Sequence, residues 1–419
     1  MSIRLIVLSL TKKMWPIVSV YACVGMLSAL VAFLLKDSIP FELSVIVNAE
    51  TLNSILTILA STMLAVTTFS LSTMVSAYGA ATAHATPRAS SLITADRTTQ
   101  NALSTFMGAF IFSLVGIIAL NMGLYEGGGR FLLLVLTLGI ITLIIVMLIR
   151  WIERLTSLGR VGEVSALVER EAAKALALRA RRPTLGCNRL GKLPERYEEN
   201  QCINAESTGY VRFFNSHALH VLAEEEDVQV YLLAMPGKFV NAGGMLATSS
   251  APLSEAARAA MQRCFSIGDQ RSFEQDSRFG ICVLAEIATR AVSAAVNDSG
   301  TAIDIVGRLG RVLGAYVEER NQRDEVTFAR FWVPELRAED LFQDAFAALM
   351  RDAAGIFEVQ SRIQKVLGAL ASKGEDFREQ ASAYAVLALS YSDAHLFLPE
   401  EKQALWEIAA PLVQKVSSP

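Results

Sequence analysis

The chain has 419 residues, of which 52% are hydrophobic and only 19% charged, and its net charge is -3. A mean hydropathy of +0.38 excludes an ordinary soluble domain. A charge so close to neutrality, with no basic strip interleaved with aromatics, excludes a nucleic-acid surface.

The apolar residues concentrate in four uncharged runs: Met14–Leu35, Thr51–Ala83, Asn101–Tyr125 and Phe131–Ile149. At about 1.5 Å per helical residue even the shortest measures roughly 28 Å, close to the hydrocarbon thickness of a bilayer. Helices satisfy their own backbone polar groups in lipid. Residues 1–152 are therefore expected to form a four-helix transmembrane bundle with spans at 14–35, 51–78, 103–124 and 131–151. Lys12 and Lys13 resemble the basic start of a signal peptide, but the run behind them is long for one and ends at Lys36-Asp37 without a small-residue cleavage pattern. It is read as a span. Arg4, Lys12 and Lys13 precede the first span, Arg88 and Arg97 follow the second, and Arg150, Arg154 and Arg160 follow the fourth. The intervening loop DSIPFELSVIVNAE is acidic. The positive-inside rule places both termini in the cytoplasm. Cys23, Cys187, Cys202, Cys264 and Cys282 show no metal or redox spacing and are expected as unpaired thiols.

From Glu153 to Arg182 apolar and charged residues alternate at helical spacing, so the fourth span is expected to continue into a cytoplasmic helix that stops at Pro183. The stretch PTLGCNRLGKLPERYEENQ reads as a linker, and 153–204 as connecting helix plus linker. Within 205–250, VQVYLLAM reads as a strand, PGKFVNAGG as a tight turn and MLATSS as a return strand, giving a small β domain. That turn is similar to the Pro-Gly-x-x-Val-x-x-Gly turn of biotinyl- and lipoyl-type hammerhead barrels, but no carrier lysine accompanies it. A structural barrel without a cofactor is expected. After Pro252 the chain reads helical almost to its end: SEAARAAMQRCF starts with a Ser N-cap, and SRFGICVLAEIATRAVSAAV is an apolar helix that ends at NDSG. Residues 251–419 are expected as a helical domain, so that the whole is a transmembrane bundle plus a cytoplasmic α+β domain.

Two stretches carry a family resemblance: TPRASSLITADRTTQNALSTFMGAFIFSL and RSFEQDSRFGICVLAEIATRAVSAAVNDSGTA. Together they resemble the bacterial predicted membrane proteins called domain of unknown function 2254. The matching residues are Pro87, Arg88, Asp96, Arg97, Gln100, Gly108 and Phe110, then Gln275, Asp276, Phe279, Gly280, Arg290, Ser293, Asn297, Asp298, Thr301 and Ala302. Where the family shows Ser-Pro and Asp-Pro, this chain has Ser293-Ala294 and Asp298-Ser299, which relaxes that turn. The resemblance implies the topology and a set of polar residues; it implies no activity.

In AAVNDSGTAIDIV, Asn and Asp side chains can bond nearby backbone, and Asp298 or Ser299 can cap a helix starting near Thr301. That is a helix-turn-helix joint. The functional alternative makes Asp298, with Glu286 or Asp304, a cation ligand or an ion-pair partner of Arg290. Arg88 and Arg97 can likewise line a basic vestibule, contact anionic headgroups, or only set orientation. His217 and His220 have the spacing of a metal pair but no third ligand nearby, so no metal is expected. No phosphate loop, nucleophile elbow, zinc-protease motif or dinucleotide fingerprint is present, and the chain is read as a non-enzyme.

The second span holds an unusual number of hydroxyls. Ser54, Thr57, Ser61, Ala65, Thr68, Ser72, Ser76 and Gly79 fall on one strip, within roughly 60° of a common direction. Leu56, Leu59, Met63, Leu71 and Met74 lie opposite, together with Thr67 and Ser70. Such a strip either packs helices closely or lines a watery path. No acidic or basic residue lies inside any of the four uncharged runs, so a passive conductance fits better than a pump. The expected function is a homo-oligomeric channel or pore, the second span lining the path and the cytoplasmic domain assembling or gating it. Membrane lipid, further copies of the chain and an ion or small ligand are the expected partners. The alternative is a membrane-anchored scaffold or sensor whose cytoplasmic domain binds a protein or small ligand.

Overall fold

The structure is a computed structural model. It describes residues 48–89, 97–125, 128–157, 159–191, 198–320 and 325–413, with isolated positions at 16–31 and 92. The first expected span, 14–35, thus lies largely outside the described residues. The chain divides into two compact units, Met1–Glu163 and Val164–Pro419.

In the first unit three helices carry the apolar runs: α1 (Ala49–His84), α2 (Arg97–Asn121) and α3 (Gly128–Ser157). All three are long and apolar enough to cross a membrane. Asn48 starts α1, its side-chain oxygen accepting from the Glu50 N–H at 3.1 Å. Most of the apolar stretch of α2 is buried and most of α1 and α3 is not, so α2 is the central one of the three described helices. Leu52, Leu56, Phe112, Leu120 and Leu133 pack at one end of the unit, Met63, Ala102, Phe106, Ile144 and Trp151 at the other.

The expected run-on of the fourth span into a cytoplasmic helix is corrected by a break. α3 stops at Ser157 and a new helix, α4 (Val161–Arg181), starts beyond Gly159. Gly159 has φ of 80°, a conformation that other residues adopt only at a cost. A Cβ there would also stand 3.2 Å from the Ala77 carbonyl oxygen.

The second unit holds two sheets and a set of helices. The strands are β1 (Cys187–Arg189), β2 (Cys202–Asn204), β3 (Gly209–Phe214), β4 (Val230–Leu232), β5 (Phe239–Val240), β6 (Met245–Ser249), β7 (Phe265–Gly268) and β8 (Phe328–Val333). One sheet runs β1-β8-β4-β6-β2 and the other β5-β3-β7. The expected β4–β6 antiparallel pair is present, with Leu232 opposite Ala247. The segment between them was expected as a plain turn, but it crosses to the second sheet, where Phe239 pairs with Tyr210. Two sheets with strands drawn from 187–333 thus stand where a small barrel over 205–250 was expected. The region read as connecting helix and linker supplies β1 and β2, and the stretch read as helical almost to its end supplies β7 and β8. Three residues are too few to show alternation, and β1 becomes a strand by pairing in parallel with β8 far along the chain. Phe214, Leu219, Val230, Met261, Phe331 and Val333 form the core between the five-stranded sheet, α5 (Ser216–Glu225) and α6 (Glu255–Gln262). As expected, Ser254 caps α6, its Oγ accepting from the Ala257 N–H at 3.1 Å.

The remaining helices are α7 (Phe279–Ala291), α8 (Ser299–Glu319), α9 (Ala338–Phe342), α10 (Ala348–Asp352), α11 (Phe357–Ala371), α12 (Glu375–His395) and α13 (Pro399–Val413). A widened π turn, Gln343–Ala347, joins α9 to α10. α7 stops earlier than its apolar pattern predicts, because the chain folds back: the Asp298 N–H donates to the Ala291 carbonyl at 2.8 Å.

Gly280 on α7 lies against Ala172 of α4, and a Cβ there would be 2.7 Å from the Ala172 Cα. Gly280→Ala is expected to destabilise the second unit by about 1–3 kcal/mol through overpacking. Gly314→Ala, at a helical site with open space around the added Cβ, is expected to stabilise by roughly 0.5–1 kcal/mol. Thermal unfolding of the detergent-solubilised full chain tests the pair; equal midpoints for both variants would contradict the contact.

Candidate functional site

The hydroxyl strip lies on the face of α1 turned away from the other described helices. Ser54, Thr57, Ser61, Thr68, Ser72 and Ser76 are all exposed, as are Ala65 and Gly79. Leu56, Leu59, Met63, Thr67 and Ser70, from the opposite direction, are buried against the other helices. Among the described residues, therefore, no helix of the subunit covers the strip. Thr57, Ser61 and Thr68 donate to the carbonyls of Asn53, Ile58 and Leu64 at 2.8, 3.0 and 2.9 Å. With the proton turned back onto the helix, the oxygen lone pairs point outward. The face is not purely polar, because Ile58, Phe69 and Val75 are exposed on it or at its margins. Inside the unit, the hydroxyls of Ser70 and Ser104 and the Trp151 indole nitrogen are buried without a hydrogen-bond partner among the described residues.

The loop after α1 is described only in part. Arg88 sits exposed in a tight turn, Pro87–Ala89, and its N–H donates to the Thr86 hydroxyl at 3.3 Å. Asp96 lies outside the described residues. Arg97 is the first residue of α2.

Gln275 and Asp276 are brought together as a structural joint. The Gln275 side chain bonds the Phe214 backbone twice, its oxygen accepting from the N–H at 3.1 Å and its nitrogen donating to the carbonyl at 3.3 Å. The Asp276 carboxylate, 1% exposed, accepts the Arg278 and Phe279 N–H groups at the start of α7 at 3.2 and 3.1 Å. It also takes both prongs of the Arg271 guanidinium at 2.6 and 3.0 Å. Burial opposes the Arg271 charge, but the Asp276 carboxylate more than offsets it and raises the guanidinium pKa above its ordinary value. Gly237, at φ of 95°, lies so close that a Cβ there would be 2.7 Å from the Asp276 Cγ. The Pro-Gly turn is thus a seat for this carboxylate. Arg278 extends the joint, reaching Asp344 at 2.6 Å and Asp340 at 3.3 Å. Burial pushes the adjacent Cys282 thiol up to about 11.

Asn297 and Asp298 take the capping role. Asn297 has φ of 50°, and the Asp298 carboxylate accepts from the Thr301 N–H at 3.0 Å and hydroxyl at 2.6 Å. Those bonds hold its carboxyl below the usual range. Asp304 pairs with Arg308 at 2.7 Å, whereas Arg290 is exposed and Glu286 half-buried. His220 lies 3.5 Å from Glu224 and edge-on to Phe328. Among the described residues no His, Cys, Asp and Glu group converges as a metal site.

Sequence reading missed three features, because their partners are distant in the chain. Glu169 on α4 holds Arg308 and Arg311 of α8 at 2.6 and 2.7 Å. Arg179 is buried, donates to the Pro334 carbonyl at 2.8 Å, and is pushed down to about 10 by burial. Arg278, inside a recognised stretch, was passed over because its partners lie on another helix.

Residues 11–369 match the family described as predicted membrane protein (DUF2254). The chain belongs to that family. An uncharacterised protein of Mycobacterium bovis and one of Mycobacterium tuberculosis are each 31% identical over 144 residues, a stretch covering 31% of this chain and 27% of the relative. The match thus spans about a quarter of the length of those curated relatives. No solved structure matches the chain. The residues that carried the resemblance acquire physical roles: Gln275, Asp276, Phe279 and Gly280 join sheet to helix, and Asp298 and Thr301 turn one helix into the next.

Two outcomes follow from these contacts. Asp298→Ala is expected to cost about 1 kcal/mol, whereas Asp298→Ser keeps most of the cap; thermal unfolding distinguishes them. Burial would raise the Glu169 carboxyl, but bonds from Arg311 and Arg308 outweigh it and hold it below the usual value. Its folded pKa is below its unfolded one, so the stabilisation is complete above about pH 4.3 and lost as pH falls through the folded value. Glu169→Gln should therefore lower the midpoint at pH 7, and the gap from wild type should narrow as the pH is taken down below the ordinary carboxylate range. A gap that does not depend on pH would refute the assignment.

Proposed function

We propose that this family member is a homo-oligomeric pore of the bacterial inner membrane, with four spans, both termini in the cytoplasm, and α1 lining the path. The observation that carries this reading is the exposure of every hydroxyl in the strip from Ser54 to Ser76. A continuous row of hydroxyls on a spanning helix is best used against water or another helix. Copies of α1 around an axis would bring these oxygens to a lumen, and Ile58, Phe69 and Val75 would supply apolar constrictions between the polar levels. Because the mapped hydroxyls turn their protons back onto the helix, the lumen would present oxygen lone pairs, which favours cations over anions. The downstream α+β region would assemble or gate the pore. A non-enzymatic role is supported by the polar signature residues, since Asp276 and Asp298 spend their bonding capacity on helix starts and neighbouring side chains.

The scaffold or sensor reading also has an observation in its favour: hydroxyls bonded to their own helix carbonyls are tolerable in lipid. Cysteine accessibility decides between them. On a cysteine-free background in membranes, cysteines at Ser54, Thr57, Ser61, Thr68, Ser72 and Ser76 are expected to react with a small water-soluble thiol reagent. Cysteines at the buried Leu59 and Met63, and at Val135 and Ile145 on the exposed face of α3, should stay silent. Silence along the whole strip would remove the aqueous path and leave the tether.

A further inference from the structure

Beside the first turn of α2 and the last turns of α3 lies an open cleft of about 490 Å³, lined by Thr98, Asn101, Met147, Arg150, Glu153 and Arg154. The lining follows from helical periodicity. Thr98 and Asn101 stand one turn apart on α2, and Met147, Arg150 and Arg154 fall at i, i+3 and i+7 on α3. Each helix therefore turns one face to the cleft, with a thioether toward the apolar side and two guanidinium groups at the water-facing end.

Arg150 and Arg154 bring two positive charges to the lining and Glu153 one negative. Arg154 also faces Glu163 at 3.9 Å, and the Glu163 side chain is 49% exposed; so long and exposed a pair is weak. A phospholipid headgroup joins a singly charged phosphodiester to apolar chains, which suits a cleft with two arginines beside an apolar helix face. Arginine forks suit phosphate oxygens, and Thr98 and Asn101 add further polar groups on the opposite wall. Next to the cleft, Val146, Ile149 and Ile152 leave an exposed apolar surface on α3. All three lie within the stretch long and apolar enough to span a membrane.

We propose that this cleft binds the phosphodiester headgroup of an anionic phospholipid, with the acyl chains lying along the exposed face of α3. The inference is independent of the pore reading, because it uses residues outside the α1 strip.

The test uses the full chain in detergent, titrated separately with phosphatidylglycerol, phosphatidylcholine and inorganic phosphate and read by native mass spectrometry. Wild-type protein is expected to retain phosphatidylglycerol over phosphatidylcholine. The double variant Arg150→Gln, Arg154→Gln should lose roughly fivefold in phosphatidylglycerol affinity per arginine, about twenty-five-fold in all. Asn101→Asp, which places a second carboxylate in the lining, should weaken the lipid as well, and decides the matter if the double variant does not purify intact. Arg160→Gln, at an exposed position outside the lining, should bind as wild type does. Equal retention by wild type and the lining variants overturns the proposal. So does equal affinity for phosphatidylcholine, or inorganic phosphate binding as tightly as phosphatidylglycerol, which would make the cleft a site for free anions.

Discussion

The carboxylate of Asp276 stands where a strand, a turn and a helix meet, and its burial sets the conditions for all three. An ionised group at 1% exposure is sustained only when it is paired and hydrogen-bonded. Here two backbone N–H groups at the start of α7 and both prongs of Arg271 supply that. The turn before β5 must offer a residue without a side chain, which Gly237 does, and Gln275 holds β3 by its backbone at the same level. Once α7 is fixed at its start, Gly280 sets how closely α4 approaches, and Arg278 fixes α9 and the turn after it. Removing one partner of such a joint leaves a buried charge without its counterpart, a far larger penalty than the loss of a surface pair.

The same logic explains what was legible in the sequence. The apolar runs of α1, α2 and α3 could be read because a span needs only length and the absence of charge, both local properties. The Ser254 and Asp298 caps could be read because a cap reaches only three residues ahead. β1, β7 and β8 could not, since their pairing partners are tens to more than a hundred residues away and the strands are short. Gly159 lay inside an otherwise helical pattern, and nothing in its neighbours announced a positive φ. The hydroxyl strip was legible as a direction on a helical wheel, but the side that it faces was decided by the packing of Leu56, Met63 and Ser70 on α2 and α3.

That packing gives α1 two unlike surfaces. On one, Thr67 is buried and donates to the Met63 carbonyl at 2.6 Å, so its hydroxyl is consumed within the helix and adds little beyond size. On the other, Ser61 and Thr68 make the same kind of bond but keep an accessible oxygen. An identical local hydrogen bond is thus structurally neutral on the inner face and chemically available on the outer one. Residue type alone does not separate these cases; position relative to α2 does.

The π turn at Gln343–Ala347 has a consequence for register. Buried pairs recur every four residues through Leu341 and Phe342, Ala345 and Phe346, Leu349 and Met350, and Ala353 and Ala354. In a regular α-helix a four-residue repeat drifts by about 40° per step, and three steps would carry the last pair well off the core face. One widened turn takes up much of that drift and keeps the pairs aligned. The segment thus carries one residue more than an ordinary helix needs between the same faces: removing one from the turn would restore ordinary helical bonding and leave the later pairs on the core, whereas tightening the turn without removing one would swing everything beyond it by roughly 100°.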